Sequence, residues 1–359
     1  MATNITKGDL CNWSGATRVV DMRYLDPANL KPGDNSDSGV DLRGSQLTRW
    51  MGGLASGQWA AIPGIPGYAA FSNLFNNGDA QVYANGDLLR SGKVRNVATK
   101  ANGVVTISPV PLTIAEALLI GNGPKASHLS AAFNTFPFGL RPPFAFGARV
   151  TMPADMAFGS GDWPAIWALP VSLRWPPEID AMDGYNSDPS QGPLSFNGGI
   201  VPSNGDIPNR GGSQAPVTPG PHTWVAVVYP DVCALFLDGK CTQVIQTGVH
   251  LDQQDQPGTP ELWYMIINYA IQGRANSWPG AMPPGKGSFA PMIIDDVFML
   301  AMPPVYPGPG NGGPMPLMVT ASSSPGHMPV PTMGMTTAQK AALDQLATAW
   351  AAVKAAFNL

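Results

Sequence analysis

The stretch Trp175-Pro176-Pro177-Glu178-Ile179-Asp180-Ala181-Met182-Asp183-Gly184 decides how this sequence is read. Only 12% of the chain is charged, yet three carboxylates fall within six positions here, set among Ile179, Ala181 and Met182. A strand sends alternate side chains to one face, so Glu178 and Asp180 share a face while Ile179 and Ala181 pack behind it. Strict alternation puts Met182 next on the acidic face and turns Asp183 away. One extra residue, a β-bulge at Ala181 or Met182, returns Asp183 to the side of Glu178 and Asp180, and bulges are common beside active sites. Three carboxylates then line one groove.

Paired carboxyl groups across a sugar linkage are what glycoside hydrolysis uses. One attacks or stabilises the anomeric carbon, and the other protonates the leaving oxygen. A third acid between them pushes the proton donor's pKa upward by like-charge repulsion. Spacing alone leaves a second reading open, a solvated strand face that is merely acidic.

Working outward, Phe146-Gly147-Ala148-Arg149-Val150-Thr151-Met152-Pro153, then Trp163-Pro164-Ala165-Ile166-Trp167-Ala168-Leu169-Pro170, precede the acidic strand. His222-Thr223-Trp224, Leu237-Asp238-Gly239-Lys240, Ile267-Asn268-Tyr269-Ala270, Trp278-Pro279-Gly280 and Ile294-Asp295-Asp296-Val297 follow it. In order and spacing, over roughly residues 70–302, this series resembles glycoside hydrolase family 16, the laminarinase-like β-glucanases. The resemblance implies a concanavalin-like β-sandwich jelly roll, with a β-linked polysaccharide lying across one sheet. It implies a retaining endo-hydrolase with Glu178 as nucleophile, Asp183 as acid/base and Asp180 supporting them. It also implies Trp163, Trp167, Asn268 and Trp278 as substrate-binding residues. Asp295 sits where some members hold a structural calcium ion, and no other cofactor is implied. Arg149 matches a family position too, and a buried structural ion pair is its expected job.

Two departures matter. The family's acid/base is Glu, and Asp183 is one methylene shorter, which draws its carboxyl back by about 1.5 Å. The groove-bounding His expected after the acidic strand is missing from Ser195-Phe196-Asn197-Gly198-Gly199.

Composition agrees with an all-β sandwich. A chain of 359 residues buries a full core, and a sandwich takes up most of that length as one domain. Gly (41) and Pro (38) together are nearly double their usual share, which favours short strands joined by turns. Turn-punctuated strands without alternating helices point to two packed antiparallel sheets. Two dipeptides, Asn102-Gly103 and Asp238-Gly239, are hairpin turns in their own right. The net charge of -4 gives no basic footprint for nucleic acid, and no segment reaches membrane-spanning length.

Four regions follow. Residues 1–45 read as an extended polar arm, 46–302 as the sandwich, 303–335 as a Pro/Gly-rich semi-rigid linker, and 336–359 as a helix. That helix opens on a capping-box pattern, Thr336-Thr337-Ala338-Gln339, and carries a heptad stripe of Leu343, Leu346, Trp350, Val353 and Phe357. A lone helix with so narrow a seam is marginal in water, so it is expected to dock, self-associate or anchor the chain to a larger assembly.

Three cysteines and no export signal in the first thirty residues fit synthesis in a reducing compartment. The Asp238-Gly239 hairpin sets Phe236 against Cys241 and Cys233 against Val244, which sends the two thiols to opposite faces. Two functional classes therefore remain. One is a polysaccharide hydrolase carried on a virion, such as a phage particle, or released outside the cell. The other is a glycan-binding fibre or decoration subunit, a homo-oligomer held through 336–359 or 1–45.

Overall fold

The computed structural model describes residues 16–22, 71–72, 80–84, 92–120, 126–135, 139–156, 159–172, 177–184, 195–201, 215–216, 218–247, 249–254, 258–272 and 286–302. The segments expected as linker and C-terminal helix, most of the expected N-terminal arm, and Trp278 lie outside them.

The first half of the chain forms β1 (Thr17–Val20), β2 (Phe71–Ser72), β3 (Gln81–Ala84), β4 (Ala98–Ala101), β5 (Val104–Ile107), β6 (Val110–Pro111) and helix α1 (Ile114–Ile120). Next come β7 (His128–Ser130), β8 (Ala132–Asn134), β9 (Phe144–Thr151), β10 (Asp162–Pro170), β11 (Glu178–Asp183) and β12 (Ser195–Val201). The series closes with β13 (Ala215–Pro216), β14 (Pro221–Val228), β15 (Val232–Leu237), β16 (Lys240–Gln246), β17 (Trp263–Ile271) and β18 (Met292–Ala301).

Two large antiparallel sheets result, as the composition led us to expect. One has eight strands in the order β16-β15-β14-β9-β18-β5-β4, with β1 added beside β18; the other has six, β13-β12-β11-β10-β17-β8. A four-stranded sheet, β2-β3-β7-β6, includes a parallel pairing of β3 with β7.

Alternation builds the core between the two large sheets. From the eight-stranded sheet, Phe144, Phe146, Ala148 and Val150 of β9 point inward with Trp224, Ala226 and Val228 of β14. From the six-stranded sheet, Ile166 and Ala168 of β10 and Trp263, Met265, Ile267, Tyr269 and Ile271 of β17 meet them. Burying each large apolar side chain contributes about 1.5–3 kcal/mol. Strands β9 and β14 pack so closely that a Cβ on Gly147 would lie 2.2 Å from the Trp224 carbonyl oxygen.

Both dipeptide turns form as their sequences dictate. Asn102 and Gly103 have φ of 52° and 80°, and Asp238 and Gly239 have 49° and 77°. Positive φ at both central residues marks the hairpin turn that matches strand twist. In the second hairpin Phe236 does pair with Cys241, but a register shift beyond it sets Cys233 against Ile245 rather than Val244. The thiols still diverge. Cys233 faces the inter-sheet core, while Cys241 packs on the other side of the sheet with Val225, Ala234 and Phe236.

Three features depart from the sequence reading. Within the expected arm, Thr17–Val20 is a strand paired with β18, and Val20 is buried in the main core. Helix α1 is formed among the strands, capped by Thr113 and Glu116. The Thr113 N–H donates to Glu116 Oε2 at 2.8 Å, and the Glu116 N–H donates to Thr113 Oγ1 at 3.2 Å, the reciprocal capping box. Arg149 is exposed rather than buried, because its strand position points away from the core that Ala148 and Val150 enter.

Candidate active site

Strand β11 lies between β10 and β12, and its register contains the extra residue. Against β10, Asp180 faces Trp167, Met182 faces Ile166 and Asp183 faces Ala165, so Ala181 has no counterpart. Against β12, Asp180 faces Gly199 and Asp183 faces Asn197, two residues spanning the place of one. Ala181 and Met182 are both buried in the inter-sheet core. The core absorbs the surplus residue because both side chains are apolar. Glu178, Asp180 and Asp183 are consequently half-buried together on the opposite face of the sheet.

The strands beside β11 complete that face. Ala165, Trp167 and Leu169 of β10 cluster with Tyr264 and Ile266 of β17, Ala132 of β8 and Tyr83 of β3. Alternation adds Trp163 and Asn268 to the same side. In register, Asp183, Ala165, Asn268 and Ala132 form one row across four strands. Asp180, Trp167 and Ile266 form the next. Leu169 faces Tyr264 one row beyond, at the level of Glu178.

Neutral donors serve this face. The Trp163 indole N–H donates to Asp183 Oδ1. Trp167 Nε1 donates to Asn268 Oδ1 at 2.7 Å, and Asn268 Nδ2 donates to the Tyr83 hydroxyl at 3.0 Å. Gln81 Nε2 donates to the same hydroxyl at 3.1 Å, while Gln81 Oε1 accepts the Ile271 N–H at 2.6 Å. An indole N–H only donates, so the amide of Asn268 is fixed in orientation. Trp167 is 8% and Asn268 7% exposed, which makes them a packed floor, whereas Trp163 is half-buried at the open end.

Neither β10 (DWPAIWALP) nor β12 (SFNGGIV), which flank β11, nor β17 (WYMIINYAI) beyond β10 carries a basic residue. The electrostatic imprint of the acids is visible in their neighbours. Burial first, and then the charge of Glu178, push the Tyr264 phenol well above its ordinary pKa, so it stays a neutral hydroxyl. Burial, then Asp180, then Cys241 raise the Cys233 thiol in the same way.

Gly184 closes the acidic strand against β10. Its N–H donates to the Pro164 carbonyl at 2.8 Å, and a Cβ there would lie 2.4 Å from that oxygen. Only glycine permits this approach, and it pins the main chain next to Asp183.

Sequence reading thus named Glu178, Asp180, Asp183, Trp163, Trp167 and Asn268, and the fold brings all six to one face. It missed Tyr264 and Tyr83. Tyr264 was within reach, since it stands four residues before Asn268 on the same strand and must share its face; Tyr83 arrives from a separate sheet and had no local signal.

Asp295 is elsewhere, the extra residue in a bulge of β18 in the eight-stranded sheet. Among the described residues no group of three or more His, Cys, Asp or Glu is placed to hold a metal ion. Calcium takes six or more oxygens, so Asp295 by itself does not fit one.

No family model matches the chain. Two curated relatives from Rhizobium meliloti, the endo-1,3-1,4-beta-glycanases ExsH and EglC, are each 25% identical to it over 208 and 201 residues, 57% and 54% of this chain. The chain spans 40% of the length of each of these relatives. Among solved structures, SCLam, a non-specific endo-beta-1,3(4)-glucanase from family GH16, matches with a TM-score of 0.50 at 18% identity, over 81% of this chain and 92% of that one. The endo-beta-1,3-glucanase from Pyrococcus furiosus gives 0.48 at 22% identity, over 64% and 82%. The fold is the β-sandwich jelly roll of the SCLam glucanase.

Proposed function

We propose that this protein is a glycoside hydrolase that cleaves a β-linked glucan within the chain and with retention of configuration. The observation that carries the reading is the β11 bulge, which turns Glu178, Asp180 and Asp183 to one face among neutral hydrogen-bond donors. Glu178 attacks the anomeric carbon and forms a glycosyl ester, while Asp183 gives its proton to the departing oxygen. Asp183 then takes a proton from the water that hydrolyses the ester. Asp180, between them, completes the row of three acids on this face. The sequence similarity to two endo-glycanases supports the same class of reaction.

A second reading, a glycan-binding protein that hydrolyses slowly or not at all, is favoured by the shorter Asp183. A carboxyl withdrawn by about 1 Å costs on the order of a hundredfold in rate unless the backbone compensates. One experiment separates the two. Wild type and Glu178→Gln are incubated with laminarin, lichenan, agarose and bacterial capsule, and reducing ends are assayed beside glycan binding. The hydrolase reading expects release by wild type from at least one β-glucan and a loss of about a thousandfold or more in the variant, with binding retained. Absence of release from every polysaccharide, with equal binding by both proteins, leaves only the binding protein.

A further inference from the structure

We infer that Trp163 is the positioning residue for Asp183: its indole N–H holds one carboxylate oxygen so that the other is presented to the scissile linkage. This rests on the hydrolase reading and assigns Trp163 a role different from stacking on sugar.

The hydrogen bond joins Trp163 Nε1 to Asp183 Oδ1. Indole nitrogen has no acceptor capacity, so the polarity is settled and Oδ1 is the oxygen engaged. Oδ2 is then the oxygen that carries and delivers the proton. An Asp carboxyl pivots freely about its last torsion, and a single fixed oxygen removes that freedom. The arrangement offsets, in orientation, some of what the chain gives up by having Asp in place of a longer acid.

Trp163 is itself held from both sides along the strand. Its predecessor Asp162 has a wholly buried side chain, accepting the Tyr269 hydroxyl at Oδ1 and Lys286 Nζ at Oδ2, 3.0 Å away. Lys286 also donates to the Ser160 carbonyl at 2.9 Å and lies 4.0 Å from the Phe289 ring centre. Its successor Pro164 takes the Gly184 N–H described above. An indole on so constrained a backbone meets Asp183 already in place, which is what preorganisation requires.

The bond also has a titration signature. Donation to the ionised carboxylate favours that form and opposes the repulsion from Asp180. Among the described residues, the ionisable groups on the face of Asp183 are Asp180 and Glu178 on its own strand and, from β17, the neutral Tyr264. β10 presents Trp163, Ala165 and Trp167, and the sequence of β12, SFNGGIV, holds no ionisable residue, so neither strand adds a charge.

The test uses the full-length protein. In wild type the Trp163 indole N–H resonance should shift with pH at the midpoint of the Asp183 carboxyl carbon, and in Asp183→Asn that shift should vanish. In Trp163→Phe, which keeps an aromatic ring, the Asp183 midpoint should rise, weakening the acid about threefold or more. The alkaline limb of kcat/KM should rise with it, while kcat falls about tenfold and KM stays within about twofold. An indole resonance indifferent to Asp183, or a KM that rises with kcat intact, overturns the proposal and leaves Trp163 a sugar platform. Should Trp163→Phe fail to fold, the wild-type and Asp183→Asn titrations decide alone. If wild type cleaves no glucan yet the indole tracks Asp183, the hydrolase reading falls and the coupling stands.

Discussion

Two strands of this molecule carry acids beside a β-bulge, one in each large sheet, and their surroundings differ. In β18 the bulge at Asp295 precedes Asp296, whose Oδ1 is paired with Arg18. Arg18 also donates to the Val297 carbonyl at 2.8 Å and stands 5.6 Å over the Phe298 ring. That acid fastens β1 to the sheet. In β11 the bulge at Ala181 gathers three acids; β10 brings indoles and β17 beyond it a phenol and an amide, and none of β10, β12 and β17 carries a cation. A counter-ion neutralises a carboxylate and lowers its proton affinity; neutral donors orient one and leave its proton exchangeable. The same backbone irregularity therefore serves attachment in one sheet and, on our reading, chemistry in the other.

The largest expected effect comes from disturbing the acidic bulge without touching an acid. Gly184→Ala sets a methyl against the Pro164 carbonyl and parts β11 from β10 beside Asp183. Hydrolysis should fall about a hundredfold, some 2.7 kcal/mol of barrier, whereas glucan binding measured by calorimetry should change little. An unaltered rate would mean that the strand end is not what aims Asp183.

Next is an acid paired more completely than Asp296. Burial alone would raise the pKa of Glu116, but hydrogen bonds from Arg95 and Thr113 outweigh it and hold the carboxyl at about 2, below its ordinary 4.5. A depressed folded value means stabilisation that is complete above the ordinary value and lost as pH falls toward 2. Discounted for the solvent around Arg95, it amounts to about 2 kcal/mol at neutral pH. Denaturant melts of Glu116→Gln should show that deficit at pH 7 and a shrinking one between pH 4.5 and 2; a constant gap would assign the loss to packing instead.

Smallest is Asp296→Asn. Removing a partly exposed ion pair should cost about 1 kcal/mol in a thermal melt and leave hydrolysis within about twofold. A matching loss of activity would erase the contrast between the two bulges.

Much of the acidic face was legible beforehand, for a local reason. The six acidic and apolar residues from Glu178 to Asp183 cannot alternate without a surplus one, so the bulge follows from the order of side chains. Asn102-Gly103 and Asp238-Gly239 were readable because positive φ at two successive residues selects those types. Other features gave no such sign. Thr17–Val20 looks like part of a polar tail, and only the C-terminal end of β18, past its pairing with β5, makes it a strand. The Cys233 register slipped by one because the surplus residue in β16 lies among Thr242 and Gln243, where nothing apolar marks it. Arg149 was expected to be buried, and strand parity settles that it is not.

By itself, then, the sequence determined which residues could share a strand face, because alternation and turn stereochemistry act over two or three neighbours. Only the tertiary structure decided what stands opposite them. The indole N–H on Asp183 joins neighbouring strands, while the Trp167, Asn268 and Tyr83 chain and the raised phenol of Tyr264 join strands distant in sequence. Such partners are set by sheet order and register, which depend on how the whole core closes.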